Sequence, residues 1–316
     1  MTESWLITGG CGFVGLNLVA AMRSGGKCNI RIVDDLSVGS RAGLSMVAPF
    51  VEAGGASEAD VQLFVGDIRD KSLLARAAAG VDVIVHLAAN AGVERSLADP
   101  MLDADVNIIG TLACLETARQ AKVRRFIFAS SAAVGAGRAP TTPYGAGKLA
   151  GEAYCAVYRA SFGLETVALR FANVYGPRSS HKQSVVAAFV GQALRGDPLV
   201  IHGDGRQRRS FIHVNDVAGA IMQAARLPVA PTEPVRIAGP EMSSIRDLAR
   251  ELDMAFSRHG VTASWQEGPI RPGEPPPQGS APAGEPLPGW QAQTTIEKGL
   301  PETLAWYLEH RSQGWN

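Results

Sequence analysis

The stretch Leu6-Ile7-Thr8-Gly9-Gly10-Cys11-Gly12-Phe13-Val14-Gly15 constrains this chain more than any other. Trp5 to Thr8 reads as a short buried strand. Glycines follow at 9, 10, 12 and 15, and Phe13, Leu16, Val19 and Ala20 then recur at helical spacing. A strand that turns so tightly into a helix needs residues without a Cβ. Such a turn offers the helix's first N–H groups and the positive end of its dipole to an anion. The spacing Gly10-x-Gly12-x-x-Gly15 suits the pyrophosphate of a dinucleotide. In a chain with 35 glycines a trio of this kind also arises by chance, so its surroundings must carry the argument.

The surroundings agree. Asn29 to Val33 is a second apolar strand and ends on Asp34-Asp35. A carboxylate about 20 residues past the glycines accepts hydrogen bonds from an adenosine ribose and repels a 2′-phosphate, which favours NAD over NADP. Further strands are expected near 62–65, 82–86, 125–129 and 166–171, with helices between them. This alternation predicts an α/β fold, a doubly wound parallel sheet of the Rossmann kind. Ligands of such sheets bind beyond the strands' carboxyl ends. Asp34, Asp67, Ala88-Ala89 and Ser130-Ser131 all fall there. Asp67 either accepts from the adenine amino group or caps the helix that begins near Lys71. His86 reads as a satisfied strand-end histidine, and Ala88 and Ala89 are small enough for a flat cofactor to lie against the backbone.

Tyr144-Gly145-Ala146-Gly147-Lys148 opens a further helix. Tyr and Lys four residues apart share one helix face. An ammonium beside a phenol favours the phenolate and lowers its pKa, which makes Tyr144 a general acid/base for a substrate hydroxyl. Ser131, at a neighbouring strand end, is placed to hold the same oxygen.

Charge and cysteine content narrow the partners. Thirty basic and 30 acidic residues balance, so no nucleic-acid or membrane-surface partner is expected. Cys11, Cys28, Cys114 and Cys155 show neither metal-ligand spacing nor a disulfide pattern, which fits a reducing compartment. No metal site is expected. No apolar run is long enough to cross a bilayer, and the first strand begins too early for a leader peptide. The expected location is the cytoplasm.

Several motifs together carry a family resemblance. They are Thr8-Gly9-Gly10-x-Gly12-Phe13-x-Gly15, His86-Leu87-Ala88-Ala89, Ser130-Ser131, Tyr144-x-x-x-Lys148, Asp99-Pro100, Asn107 to Thr111, Leu169 to Pro177, and Gly203-Asp204-Gly205 followed by Arg209 to Asp216. With them the chain resembles the extended short-chain dehydrogenase/reductases, and among these the NAD-dependent nucleotide-sugar epimerases and dehydratases. The resemblance implies Ser131, Tyr144 and Lys148 as the catalytic set. It implies a cofactor set of Gly9, Gly12, Phe13, Val14, Asp34, Asp35, Ser37, Gly39, Asp67, Ile68, Leu87, Ala88, Ala89, Asn107, Tyr144, Lys148 and Phe171, with Asn107 supporting Lys148 through a water. Asn173 begins the substrate side, and Arg209 and Arg271 take the nucleotide diphosphate with their planar forks of donors.

The expected domains are residues 1–173, with returns near 212–240, for NAD, and 174–316 for substrate. In the second, a helix is expected over 183–194, a strand over 198–202 and a helix over 214–225. A helix capped by Ser243 or Ser244 and a final helix over 296–310 complete it. Residues 268–289, rich in Pro and Gly, read as loop. The resemblance further implies a homodimer that packs helices near 101–121 and 145–161 into a four-helix bundle. Dehydratases of the family carry an acidic pair just after the catalytic hydroxyl residue; Ala132-Ala133 stands there in this chain. Only Ala132 to Pro143 separates Ser131 from Tyr144, which is either a trimmed surface loop or a more open sugar pocket. The expected reaction is epimerisation of a UDP-hexose at C4. Dehydration, decarboxylation or net reduction are the rivals, and a non-catalytic NAD-binding scaffold is the lowest-ranked reading.

Overall fold

The computed structural model describes residues 2–26, 28–54, 60–135, 139–182, 184–261, 263–269 and 281–310. The strands are β1 (Ser4–Thr8), β2 (Asn29–Asp34), β3 (Val51–Glu52), β4 (Val61–Val65), β5 (Val83–His86), β6 (Arg125–Ser131), β7 (Glu165–Phe171), β8 (Asn173–Tyr175), β9 (Leu199–His202), β10 (Arg208–His213), β11 (Val235–Ile237), β12 (Met242–Ser244) and β13 (Trp265–Gly268). The helices are α1 (Phe13–Ser24), α2 (Arg41–Ser45), α3 (Lys71–Ala78), α4 (Val93–Ala98), α5 (Pro100–Ala104), α6 (Thr111–Gln120), α7 (Pro143–Phe162), α8 (Val185–Arg195), α9 (Val214–Arg226), α10 (Ile245–Ser257) and α11 (Ile296–Glu309). A π-helical turn, Asp105–Gly110, joins α5 to α6.

Eight strands form one sheet in the order β11-β7-β6-β5-β1-β2-β4-β3. β1 pairs in parallel with β2 on one side and with β5 on the other. Sequence order therefore reverses beside β1, and the crevice at its carboxyl end is the switch point where such sheets take ligands. β1 is buried along its whole length, as expected of a strand covered on both faces. The short β3 at the sheet edge was not expected from the sequence; two residues carry too little pattern to be read.

Contacts divide the chain into two compact units. The first comprises Met1–Arg170, Ala218–Arg236 and Ala283–Trp290. Its core packs Leu6, Val33, Ile84, Leu115, Phe126 and Phe128. The second comprises Phe171–Val217, Ile237–Pro282 and Gln291–Asn316. It holds the small sheets β12-β10-β8 and β13-β9, over a core that includes Phe189, Leu248, Leu252, Phe256, Leu304 and Tyr307.

Local chemistry sets the helix starts. α10 begins with a capping box, in which Ser244 Oγ accepts from Asp247 N and the Asp247 carboxylate accepts from Ser244 N. α3 is capped by Asp70, whose Oδ1 accepts from Ser72 N at 2.8 Å and Leu73 N at 3.1 Å. The capping alternative for Asp67 is thereby corrected, because Asp70 is the residue adjoining the helix. α1 starts at Gly12 with no side-chain cap.

The turn between β1 and α1 is packed backbone on backbone. A Cβ at Gly15 would stand 2.5 Å from Gly10 Cα and 2.6 Å from Gly9 O. Neither atom belongs to a side chain that could swing away. Gly15→Ala is therefore expected to destabilise the fold by about 2 kcal/mol or more, read as a lower urea midpoint at unchanged m-value.

Candidate functional site

In the first unit the glycine turn lies against the end of β5. Gly9 takes a positive φ of 69°, and a Cβ there would stand 2.7 Å from Ala88 N. Gly9 N donates to Val33 O at 2.8 Å, which ties the turn to β2. Gly39 packs onto the turn from its other side, where a Cβ would come within 2.3 Å of Cys11 O. Gly12 differs from these, since its Cβ would meet only Gly9 O, at 3.2 Å. Protein packing thus explains the other glycines, while Gly12, at an uncapped helix start, is the least crowded of the four, with one tight backbone contact. Phe13 is buried and Val14 half-buried in the first turn of α1. That cradle fits a dinucleotide pyrophosphate.

Asp34 ends β2 and is buried. Its Oδ2 accepts from Cys11 N and its Oδ1 from Leu36 N, both at 2.9 Å. A carboxylate offers roughly four acceptor positions, so two remain for a ribose diol. Burial pushes its carboxyl up, against the pull of the two N–H bonds. Asp35 is exposed and holds Ser37, accepting from its N at 3.0 Å and its Oγ at 2.6 Å. Asp67 accepts from Arg69 Nη2 at 2.6 Å, and Arg69 also pairs with Asp105. The Arg69 hydrogen bonds hold the Asp67 carboxyl below its usual range. Ile68, next to it, is buried. Leu87, Ala88 and Ala89 follow β5 and are half-buried.

A buried polar chain runs beneath these residues. Ala88 N donates to Thr8 Oγ1 at 3.3 Å, and Thr8 Oγ1 meets His86 Nδ1 at 2.7 Å. His86 Nε2 meets Thr111 Oγ1 at 3.0 Å, and that hydroxyl donates to Asn107 O at 2.7 Å. Because the Thr111 proton is already committed, His86 must donate from Nε2 and accept at Nδ1. Burial, helped by Lys148, lowers the His86 pKa to about 3, so it stays neutral. It is the satisfied histidine that the sequence suggested.

Tyr144 and Lys148 lie one turn apart on α7. Thr142 caps this helix, accepting from Gly145 N at 3.2 Å, and Pro143 occupies its first turn. Ser131 ends β6, and its Oγ accepts from Ala133 N at 3.2 Å. α7 sits unusually close to β6, since a Cβ at Gly151 would stand 2.3 Å from Phe128 Cζ. Lys148 is consequently buried, with Nζ 4.9 Å from the centre of the Phe128 ring and 5.8 Å from that of Tyr144. Burial lowers the Lys148 pKa to about 8, with Asp103 opposing. Burial also raises the Tyr144 phenol, while a hydrogen bond with Ser131 pulls it down. The lowered phenol expected from the Tyr–Lys spacing is corrected: the phenol is raised, because desolvation disfavours its charged form and Ser131, not Lys148, is the group that pulls it down.

Asn107 is buried in the π-helical turn. Its Nδ2 donates to Asp103 Oδ1 at 2.8 Å and to Asn90 O at 3.1 Å, while its Oδ1 accepts from Asn90 N at 2.8 Å. Sequence reasoning missed Asp103 and Asn90. Neither stands in a motif, and the only signal was an acidic residue among the apolar positions of a helix.

The remaining expected residues lie in the second unit. Phe171 is buried, and Asn173 is exposed at the start of β8, donating to Ser210 O at 3.0 Å. Arg209 on β10 is buried, with Nη1 donating to Arg208 O at 3.0 Å. Arg271 lies outside the described residues. Among the described residues no helix is long and apolar enough to cross a membrane.

Comparison with known proteins adds independent findings. A family model described as the NAD dependent epimerase/dehydratase family matches residues 5–238. A UDP-glucose 4-epimerase of Mycolicibacterium smegmatis is 32% identical over 333 residues, spanning 98% of this chain and 99% of that protein. A UDP-glucose 4-epimerase of Thermus thermophilus, solved in complex with NAD, shares 30% identity at a TM-score of 0.82, covering 97% of this chain and 99% of that one. A dTDP-glucose 4,6-dehydratase of Streptomyces venezuelae, solved with NAD bound, shares 28% identity at a TM-score of 0.85, covering 98% of each chain.

The contrast between Gly12 and Gly15 is testable. Gly12→Ala is expected to lower the unfolding midpoint less than Gly15→Ala, yet to weaken NAD binding by about tenfold or more, or about 1.4 kcal/mol, in a calorimetric titration.

Proposed function

Because the chain belongs to the NAD-dependent epimerase/dehydratase family, within the extended short-chain dehydrogenase/reductases, we propose that it interconverts the C4 epimers of a nucleotide sugar, a UDP-hexose, through a 4-keto intermediate. The observation that carries this reading is the grouping of Ser131, Tyr144 and Lys148 at the end of β6, with Ala132 and Ala133 beside them rather than carboxylates. Dehydration needs further proton transfer at C5 and C6, and those alanines offer no group for it.

NAD, when bound, supplies the acceptor and donor of a hydride at C4. The chain's own residues manage the proton. Tyr144, as phenolate, takes the proton of the sugar O4 hydroxyl as the C4 carbonyl forms, and returns it when the alcohol is restored. Ser131 holds the same oxygen by hydrogen bond. Lys148 provides the positive charge that makes the phenolate accessible. Asp34 would accept hydrogen bonds from the adenosine ribose hydroxyls, and Asp67 from the adenine amino group. Phe171 would border the nicotinamide, and Asn173 would begin the sugar site. Arg209 and Arg271 hold the diphosphate. The cofactor ends as it began, so turnover consumes none.

A homodimer belongs to the same reading. Met101, Ile109, Leu149 and Val157 are exposed at 79%, 53%, 40% and 48%, on helices that a four-helix bundle would use. Large apolar side chains exposed on adjoining helices support such an interface. Sedimentation is expected to give a dimer, and Ile109→Glu with Val157→Glu to give a monomer.

The reaction is tested by incubating the protein with UDP-, GDP- and dTDP-sugars, without added NAD, and reading products by NMR. Tyr144→Phe is expected to lower kcat by about a thousandfold while NAD stays bound. Turnover of no nucleotide sugar by the parent protein would favour a scaffold, and stoichiometric consumption of NADH would favour a reductase.

A further inference from the structure

Asp103 lies on α5, a single turn capped by Asp99, and is 1% exposed. Its Oδ1 accepts from Asn107 Nδ2 at 2.8 Å and Asn90 Nδ2 at 3.3 Å. Its Oδ2 is equally buried and, among the described residues, has no hydrogen-bond partner. An isolated buried carboxylate oxygen is costly and calls for an explanation. Its direction provides one. A Cβ built on Gly147 would stand 3.5 Å from Asp103 Oδ2, and 3.0 Å from Asn107 Cβ. The open oxygen thus faces α7 at Gly147, the residue before Lys148, where the helix presents no side chain.

We propose that Asp103 is a positioning residue for Lys148: the buried carboxylate, with one oxygen tied to two amides and the other open toward α7, is the counter-ion that keeps the lysine charged beside Tyr144. The inference rests on the proposed place of Lys148 in the catalytic set. Among the described residues, Asp103 from α5 and Cys155 from its own helix act on Lys148. Burial raises the Cys155 thiol far above neutrality, so it carries no charge. His86 from β5 is neutral, β6 lays the face of Phe128 against the lysine, and burial raises the Tyr144 phenol. The coupling is mutual. Asp103 raises the lysine against its desolvation, and Lys148 with the two amides draws down a carboxyl that burial pushes up.

Asp103 also raises the Tyr144 phenol. Its benefit must therefore come through the lysine, and this gives the test its sign. With ¹³C-ε-labelled lysine, the Lys148 resonance of the cofactor-free protein is assigned by its loss in Lys148→Met and followed through a pH titration. In Asp103→Asn, which keeps an oxygen for the Asn107 amide, the Lys148 midpoint is expected to fall by about one pH unit or more from its value near 8. Asp103→Glu keeps the charge and is expected to keep the midpoint. The basic limb of the kcat profile is expected to move with the lysine. An unmoved midpoint in a folded Asp103→Asn protein would overturn the proposal.

Should Asp103→Asn fail to fold, the reciprocal measurement decides. The Asp103 carboxyl resonance is expected to titrate higher in Lys148→Met than in the parent, because coupling acts equally on both partners. An equal midpoint in the two proteins would also overturn the proposal. These titrations need no substrate. A Lys148 midpoint that moves in a protein without sugar turnover would uphold the counter-ion and overturn the proposed reaction instead.

Discussion

The site depends on how closely α7 approaches β6. Glycine in a helix interior costs roughly 1 kcal/mol relative to alanine, yet α7 carries Gly145, Gly147 and Gly151 within two turns. Each faces a neighbour that a methyl group would strike: Ala133 O at 2.4 Å, Asn107 Cβ at 3.0 Å and Phe128 Cζ at 2.3 Å. The lost propensity is returned as proximity. The helix lies on the strand and on the π-helical turn at once, and Lys148 comes to rest over the Phe128 ring rather than in water. The same device operates at the other end of the site, where the glycine turn after β1 meets α1 and the end of β5 without side chains between.

That proximity decides the electrostatics. A Tyr–Lys pair on an exposed helix face would attract through water and shift little. Sunk against β6, the two groups lose hydration, and each is pushed toward its neutral form: the lysine down to about 8, the phenol up. Reading the four-residue spacing as a lowered phenol missed the desolvation, which raises it. What favours the charged forms lies partly off the helix, in the Ser131 hydroxyl for the phenol and the Asp103 carboxylate for the lysine.

The legibility of the chain follows the same division. β1, the glycine turn, α1 and β2 were readable because period, glycine position and a terminal acid all agree over consecutive residues. Strands β4 to β7 were readable as apolar runs, and α8 to α11 as helical patterns whose ends moved by a residue or two. What escaped were features made by contact between distant segments. The role of the α7 glycines appears only when Phe128 and Ala133 are alongside. Asp103 in isolation is one acidic residue after a proline. The π-helical turn that carries Asn107 leaves no mark in a pattern of period 3.6. The motif residues Tyr144, Lys148 and Ser131 were legible, whereas the groups that set their protonation were not.

One polar anchor completes the account of α7. Tyr144, Lys148 and Glu152 recur every four residues and so share one stripe of the helix. Glu152 Oε1 accepts from Ser130 Oγ at 2.5 Å and from Arg170 Nε at 2.7 Å, and its Oε2 accepts from Arg170 Nη2 at 2.7 Å. A buried ion pair adds little net stability over well-packed apolar groups, but breaking one strands a charge away from water. Sliding α7 along β6 by even a single residue would strand Glu152 and drive Gly151 off the Phe128 ring. The anchor therefore serves register more than stability. It holds the stripe so that, two turns earlier, Tyr144 meets the hydroxyl of Ser131: Ser130, the neighbour of Ser131 on β6, ties Glu152 of α7, and Lys148 lies one turn from both Glu152 and the phenol.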